Sequence, residues 1–238
     1  MVIMEEYTDV HRSTLQALMN HGSLEEDEMK DIFKEIWEKL HENRVMEENS
    51  LSRVIDQIND NIGRFDQRIV KYQYGLNLLD YYIFCATTKT SISNMQHCYT
   101  EHEVDFFKQI LTKIVENIDL NISPREALNL QSSHVGKLNK MRSEKLLDGW
   151  CTNGYFVRHD NLIFLGPKSL AEFKEDLKGM RAEHLKVCGL CDDIAAWGIS
   201  CSACKTTKST YHKNCIEKFL ARSDKCPSCK MKWTVPME

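Results

Sequence analysis

Apolar residues recur at helical spacing at Val10, Leu15, Leu18 and Met19, which predicts a short amphipathic helix over residues 8–20. Gly22 follows where helices commonly stop. Ser23-Leu24-Glu25-Glu26 has the form of a capping box, with a serine to accept an orphan amide and a glutamate to reach back. The stripe Met29, Ile32, Phe33, Ile36, Trp37 and Leu40 predicts a second helix. Leu51, Val54, Ile55, Ile58 and Ile62 predict a third, closed by Gly63. Two β-rich runs follow, 65–74 and 76–88, joined near Gly75 and holding Ile69, Val70, Tyr72, Tyr74, Tyr81, Tyr82, Ile83 and Phe84. Such residue types suit a pleated surface and predict a hairpin.

The pattern then repeats. Thr100 and Glu103 form a second capping box, before a helix bearing Val104, Phe107, Ile110, Leu111, Ile114 and Ile118. Ser123-Pro124-Arg125-Glu126 is a strong helix start, with the cap, proline and glutamate each in place. A helix from about 135 to 151 follows and stops at Asn153-Gly154. Residues 155–157 and 162–165 flank His159-Asp160-Asn161 as a hairpin. A polar helix from Ser169 to about Met180 leads into a composition shift near 181–186. Three helices and a hairpin, twice over, is the order of tandem winged-helix domains. The predicted class is mostly α with small β-hairpins (α+β), divided as 1–99, 100–182 and a third unit at 185–238.

Charge separates these parts. The chain of 238 residues has a net charge of −4, but residues 1–100 carry −7, residues 101–183 carry −1 and residues 184–238 carry +4. The N-terminal part would begin any approach to nucleic acid from repulsion. No apolar window is long enough for a membrane helix. Glu5, Glu6 and Asp9 stand where a secretory signal would need basic and then apolar residues, so no such signal is expected.

Seven of the ten cysteines lie between Cys188 and Cys229. Without a secretory signal, so dense a block reads as metal ligation and not as disulfides. The donors run Cys188-x2-Cys191-x9-Cys201-x2-Cys204-x7-His212-x2-Cys215-x10-Cys226-x2-Cys229. Each x2 spacing puts two soft donors on one tight turn, and eight donors make two tetrahedral zinc sites. About 50 residues cannot bury enough apolar surface alone, so the two structural zinc ions would take the place of a core. Spacing leaves the partition open: sequential pairing joins Cys188, Cys191, Cys201 and Cys204, whereas a cross-brace joins alternate pairs.

The second half of this block resembles a RING finger. The resemblance rests on Tyr211-His212-x2-Cys215-Ile216-Glu217-Lys218-Phe219-Leu220 and Cys226-Pro227-x-Cys229. It implies the cross-brace, with Cys188, Cys191, His212 and Cys215 on one ion and Cys201, Cys204, Cys226 and Cys229 on the other. It also implies that Leu190, Phe219 and Pro227 form a shallow groove for a ubiquitin-conjugating enzyme, with Lys230 placed to touch ubiquitin. Two departures mark a variant RING: Cys204 stands where the fourth ligand is usually His, and seven residues separate it from His212. The order of four cysteines, one histidine and three cysteines also occurs in PHD fingers. Those carry an aromatic residue two before the seventh ligand, where this chain has Asp224.

The whole chain is similar to the first non-SMC element, the RING-bearing subunit family of the SMC five/six chromosome-maintenance complex. Thr8-Asp9-Val10-His11-Arg12, Leu15-Gln16, Leu18-Met19, His21-Gly22, Ala86-Thr87-Thr88 and Ser91-Ile92-Ser93 carry that likeness. It implies a nuclear, chromosome-associated ubiquitin ligase subunit acting in the DNA damage response, in DNA repair and recombination. It implies a MAGE-type and a kleisin partner, the former stimulating the ligase. The alternative is a non-catalytic docking subunit whose RING-like domain stabilises the complex. Either way the chain has no catalytic group of its own, since zinc closed by four protein ligands leaves no open position.

Weak DNA contact through the second winged helix would fall on Lys137, Lys140, Arg142 and Lys145, with Arg158 on the wing. Cations spread this way along a helix are commonly just a solvated face. Cys85, Cys98 and Cys151 read as buried small hydrophobes. Asn121-Ile122-Ser123 matches a glycosylation sequon, but Ser123 reads better as a helix cap. There is no phosphate-binding glycine loop and no nucleophile elbow.

Overall fold

The structure is a computed structural model that describes residues 7–40, 45–86, 92–130, 138–180, 183–204 and 209–235. The first unit runs α1 (Asp9–His21), β1 (Ser23–Glu25), α2 (Glu26–Leu40), α3 (Ser50–Ile62), β2 (Gln67–Gln73) and β3 (Asp80–Ala86). The second repeats that order with α4 (Glu101–Glu116), β4 (Asn121–Ile122), α5 (Pro124–Leu130), α6 (Lys140–Thr152), β5 (Phe156–His159) and β6 (Leu162–Leu165). Each has an antiparallel three-stranded sheet with the last strand in the middle, β1-β3-β2 and β4-β6-β5. This is tandem winged-helix architecture, as the repeated pattern predicts.

The first strand of each sheet is the element the pattern hides. Ser23–Glu25 is not a helix cap. Leu24 is buried and pairs with Tyr82 on β3, and α2 starts only at Glu26. Likewise Ile122 pairs with Ile163, two residues before α5. A strand of two or three residues shows no period, and its pairing with a distant hairpin decides the conformation. The expected helix through Ile118 ends at Glu116, leaving Ile118 73% exposed. The first hairpin turns over residues 74–79 and not at Gly75 alone, with Leu78 in the left-handed region. Residues 135–137 and 87–91, on which parts of the predicted helix and strand fell, lie outside the described residues. The predicted polar helix is two short ones, α7 (Pro167–Glu172) and α8 (Lys174–Gly179).

Val10, Leu18, Met29, Phe33, Val54, Ile58, Ile69 and Tyr82 form the first core. The second gathers Phe106, Phe107 and Phe156 around Trp150, with Phe107 and Trp150 rings 5.0 Å apart at 79°. Each such side chain contributes about 1.5–3 kcal/mol by leaving water. Tyr74, Ile92 and Met95 of the first 99 residues belong to this second core. Tyr74 Oη donates to the Leu165 carbonyl at 2.6 Å.

The two units meet without a gap. A Cβ on Gly154 would lie 1.9 Å from Ser23 Oγ, and its φ of +77° already favours glycine. Ion pairing at Lys174–Asp193 (3.3 Å) then ties α8 to the cysteine-rich domain. That domain is small: β7 (Ile199–Ser200), β8 (Thr210–Tyr211) and α9 (Lys213–Leu220) around Cys188, Tyr211, Ile216 and Cys226.

Candidate metal centre

Two knuckles of like design start the domain and end it. In the first, Cys188 N–H donates to Asp193 O and Asp192 N–H to Cys188 O. In the second, Cys226 N–H donates to Met231 O and Lys230 N–H to Cys226 O. The residue after the second cysteine is left-handed in both, Asp192 at φ 60° and Lys230 at φ 62°. That twist is unusual for a side-chain-bearing residue, and it sits where the chain closes each turn with a bond back to the first cysteine's carbonyl.

The donors assemble in alternate pairs. Cys188, Cys191, His212 and Cys215 form one cluster, and Cys201, Cys204, Cys226 and Cys229 the other, with the donor atoms of each within 4.8 Å of one another. Cys191 Sγ lies 3.3 Å from His212 Nδ1, and Cys215 Sγ 3.8 Å from it. In the second cluster Cys201 and Cys229 sulfurs are 3.9 Å apart, and Cys204 and Cys226 sulfurs 3.6 Å. A tetrahedron with metal–sulfur bonds of about 2.3 Å has edges of about 3.8 Å, so the spacing suits a metal ion. The sequence leaves the pairing open; the fold crosses it, because β8 carries His212 back beside the first knuckle.

Neighbours orient these donors. His212 Nε2 donates to the Ile194 carbonyl at 2.8 Å, which fixes Nδ1 as the free donor atom. Buried Tyr211 bonds Ser228 Oγ at 2.6 Å and lies 3.6 Å from Cys226 Sγ. Burial raises the Cys226 thiol, but the N–H of Cys229 and the Tyr211 hydroxyl outweigh it and bring the pKa to about 6. Burial and adjacent sulfurs push Cys215 and Cys204 up to about 12. Within each cluster the sulfurs therefore compete for negative charge. A bound dication relieves that competition and lets all of them ionise at neutral pH.

Leu190 sits on the first knuckle, 39% exposed. Phe219 on α9 and Pro227 on the second knuckle are half-buried. Lys230 Nζ donates to the Pro227 carbonyl at 2.8 Å. Of the cations considered for DNA, Arg142 pairs with Glu103 and Arg158 with Asp148, both at 2.6 Å, and Lys140 lies 3.9 Å from Glu144. Cys85 is buried and Cys151 half-buried, but Cys98 is exposed, contrary to its reading as a core residue. Ser123 and Glu126 exchange the reciprocal cap bonds expected of them.

One role escaped the sequence. Trp197, inside the nine-residue gap, packs against Tyr74 of the first unit (5.3 Å) and Phe164 of the second (6.2 Å). Gly75 leaves room for it, since a Cβ there would stand 3.3 Å from Trp197 Cβ. Tyr72 is half-buried beside the first knuckle, and its ionisation is opposed by burial first and then by Asp193 and Cys191. A lone tryptophan between ligand pairs was the available signal.

Crossed ligation by two four-donor clusters around one short helix defines a RING-like domain. The RING-like family model matches residues 188–229. The chain belongs to the family described as the Nse1 non-SMC component of SMC5-6 complex, whose model matches residues 11–143. A Drosophila melanogaster relative, a non-structural maintenance of chromosomes element 1 homolog, is 32% identical over 96% of this chain and 97% of its own length. The Homo sapiens protein of that name is 26% identical over 95% of this chain and 84% of its own. A chain from a solved Nse1-Nse3-Nse4 complex shares the fold, with a TM-score of 0.74 at 21% identity, covering 98% of this chain and 100% of that one.

Proposed function

We propose that the chain is a RING-type ubiquitin ligase subunit of an SMC5-6 complex. In this reading Cys188, Cys191, His212 and Cys215 hold one structural zinc ion, and Cys201, Cys204, Cys226 and Cys229 a second. The crossed clusters are the observation that carries it. Crossed clusters hold the two knuckles and α9 relative to one another, and in this reading Leu190, Phe219 and Pro227 serve as the docking face for a ubiquitin-conjugating enzyme. The chain supplies no bond-making group. It orders the charged enzyme so that a substrate lysine amine attacks the thioester carbonyl, forming an amide as the enzyme's thiol leaves.

The proposed division is 1–99 and 100–182 for the winged helices and 185–238 for the zinc domain. MAGE-type and kleisin subunits are the proposed partners, supported by the composition of the complex whose chain shares this fold. The proposal extends to a nuclear, chromosome-associated place and a part in DNA repair and recombination, supported by the family match. Among the described residues, no helix is long and apolar enough to cross a membrane.

A second reading has its own support. Trp197 and Tyr72 bind the zinc domain to both winged helices, as a purely structural brace would. Discharge of ubiquitin from a charged conjugating enzyme to free lysine separates the two. The assay uses the chain alone and with its MAGE-type partner, beside Cys226→Ser and Phe219→Ala. Discharge lost in both variants, with metal retained in Phe219→Ala, supports the ligase. No discharge across a panel of conjugating enzymes, with both metals bound, leaves the brace.

A further inference from the structure

Lys225 and Lys232 face each other across an antiparallel bridge that flanks the second knuckle. Cys226 N–H donates to Met231 O and Trp233 N–H to Asp224 O, both at 2.8 Å. Those bonds lie on either side of the pair, so the two lysines occupy a non-hydrogen-bonded position. There the Cα atoms approach to about 4.5 Å and the side chains share one face. Like charges so placed repel and weaken the strand pairing. Alternation sends Asp224 and Met231 to the opposite face.

Two more cations lie near this pair along the chain. Lys218 and Arg222 are four residues apart at the end of α9, and the turn continues through Arg222 N–H to Phe219 O at 3.1 Å. Arg222 is three residues from Lys225, so the two lie within about 10 Å. All four are exposed, and among the described residues none has a carboxylate within ion-pair distance. In the second winged helix Arg142, Arg158 and Lys140 each lie beside a carboxylate, and Lys145 alone of the α6 candidates is exposed and unpaired among the described residues. The strand is also held firm: Trp233 packs on Tyr211 at 5.9 Å and donates to the Val235 carbonyl.

We infer that Lys218, Arg222, Lys225 and Lys232 form a docking face for the phosphate backbone of nucleic acid. The face is exposed and cationic, and the exposed apolar Met231 points away from it, so it offers phosphate contacts without an anchor for a peptide side chain. Recognition is sequence-independent, and it does not depend on the ligase reading. DNA contact then falls on this domain rather than on the ion-paired Lys140 and Arg142 of α6.

The test is fluorescence anisotropy of the full zinc-loaded chain with a labelled duplex of about 30 base pairs, from about 50 to 200 mM salt. Four phosphate contacts give a slope of log affinity against log salt between about −3 and −4. Lys225→Glu with Lys232→Glu should weaken binding at least tenfold at the lowest salt. Lys225→Gln with Lys232→Gln should flatten the slope by about 2. Zinc content and circular dichroism confirm that both variants fold, and Lys140→Glu should bind as the parent does. No binding at about 50 mM salt, or an unchanged slope in the glutamine variant, overturns the inference. Polyglutamate competing as well as DNA assigns the face to an acidic protein and overturns it too.

Discussion

The two candidate metal clusters share a design and differ in what lies against them. The first, with Cys188, Cys191, His212 and Cys215, is wedged against the winged helices. Tyr72 abuts its knuckle, Trp197 reaches both units nearby, and Lys174 and Lys178 pair with Asp193 and Asp192. The second, with Cys201, Cys204, Cys226 and Cys229, has its supports inside its own domain, through Tyr211, Ser228 and Trp233. The same chemistry thus joins three domains at one end and closes a single small one at the other. A metal site counts toward the stability of whatever packs on its ligands, not only of the loop that bears them.

The contrast breaks most visibly when each cluster is removed in turn. Cys191→Ser and Cys229→Ser should each lose one of two metal equivalents. Structural zinc contributes about 10 kcal/mol or more to folding. Only Cys191→Ser should also loosen the winged helices, read as protease cleavage before residue 183 and a lower melting point. Equal effects on those helices would erase the distinction. Trp197→Ala is next, at about 3 kcal/mol, with both metals kept. Metal analysis beside thermal unfolding checks that separation.

Glu103 gives a third comparison, away from either cluster. Burial raises its carboxyl, but the Arg142 guanidinium and the Thr100 N–H outweigh this and hold it below the usual carboxylate value. Its stabilisation is therefore complete above about pH 4.5 and fades as pH falls through the lower folded value. Glu103→Gln should cost about 2 kcal/mol at neutral pH and less in acid, measured by denaturant titration at several pH values. Tyr211→Phe should cost about 1 kcal/mol, confined to the cysteine-rich domain in hydrogen exchange. Lys174→Ala breaks an exposed pair and should cost about 0.5 kcal/mol in the same titration.

The long helices and both hairpins are legible because a 3.6- or 2-residue period needs several turns to show, and Met29–Trp37 or Phe156–Leu165 supply them. Strands as short as Ser23–Glu25 and Asn121–Ile122 supply none, and Ser23 carries the chemistry of a helix cap besides. They exist because β3 and β6 offer unpaired edges to them. The eight donors are legible from spacing alone, since a two-residue gap is a local constraint. Their partition is not, because it depends on which loop returns beside which. The seat of Trp197 is equally non-local: its partners Tyr74 and Phe164 lie far upstream and on different units.

That seat has a consequence for how the chain is made. Domains generally fold in order as they leave the ribosome. The segments that carry Tyr74 and Phe164 are synthesised before Trp197, and the donors from His212 onward come later still. Until then the aromatic seat stands open as an apolar patch. A truncated or metal-starved product carries this mark on its winged helices, where chaperones and proteases can read it.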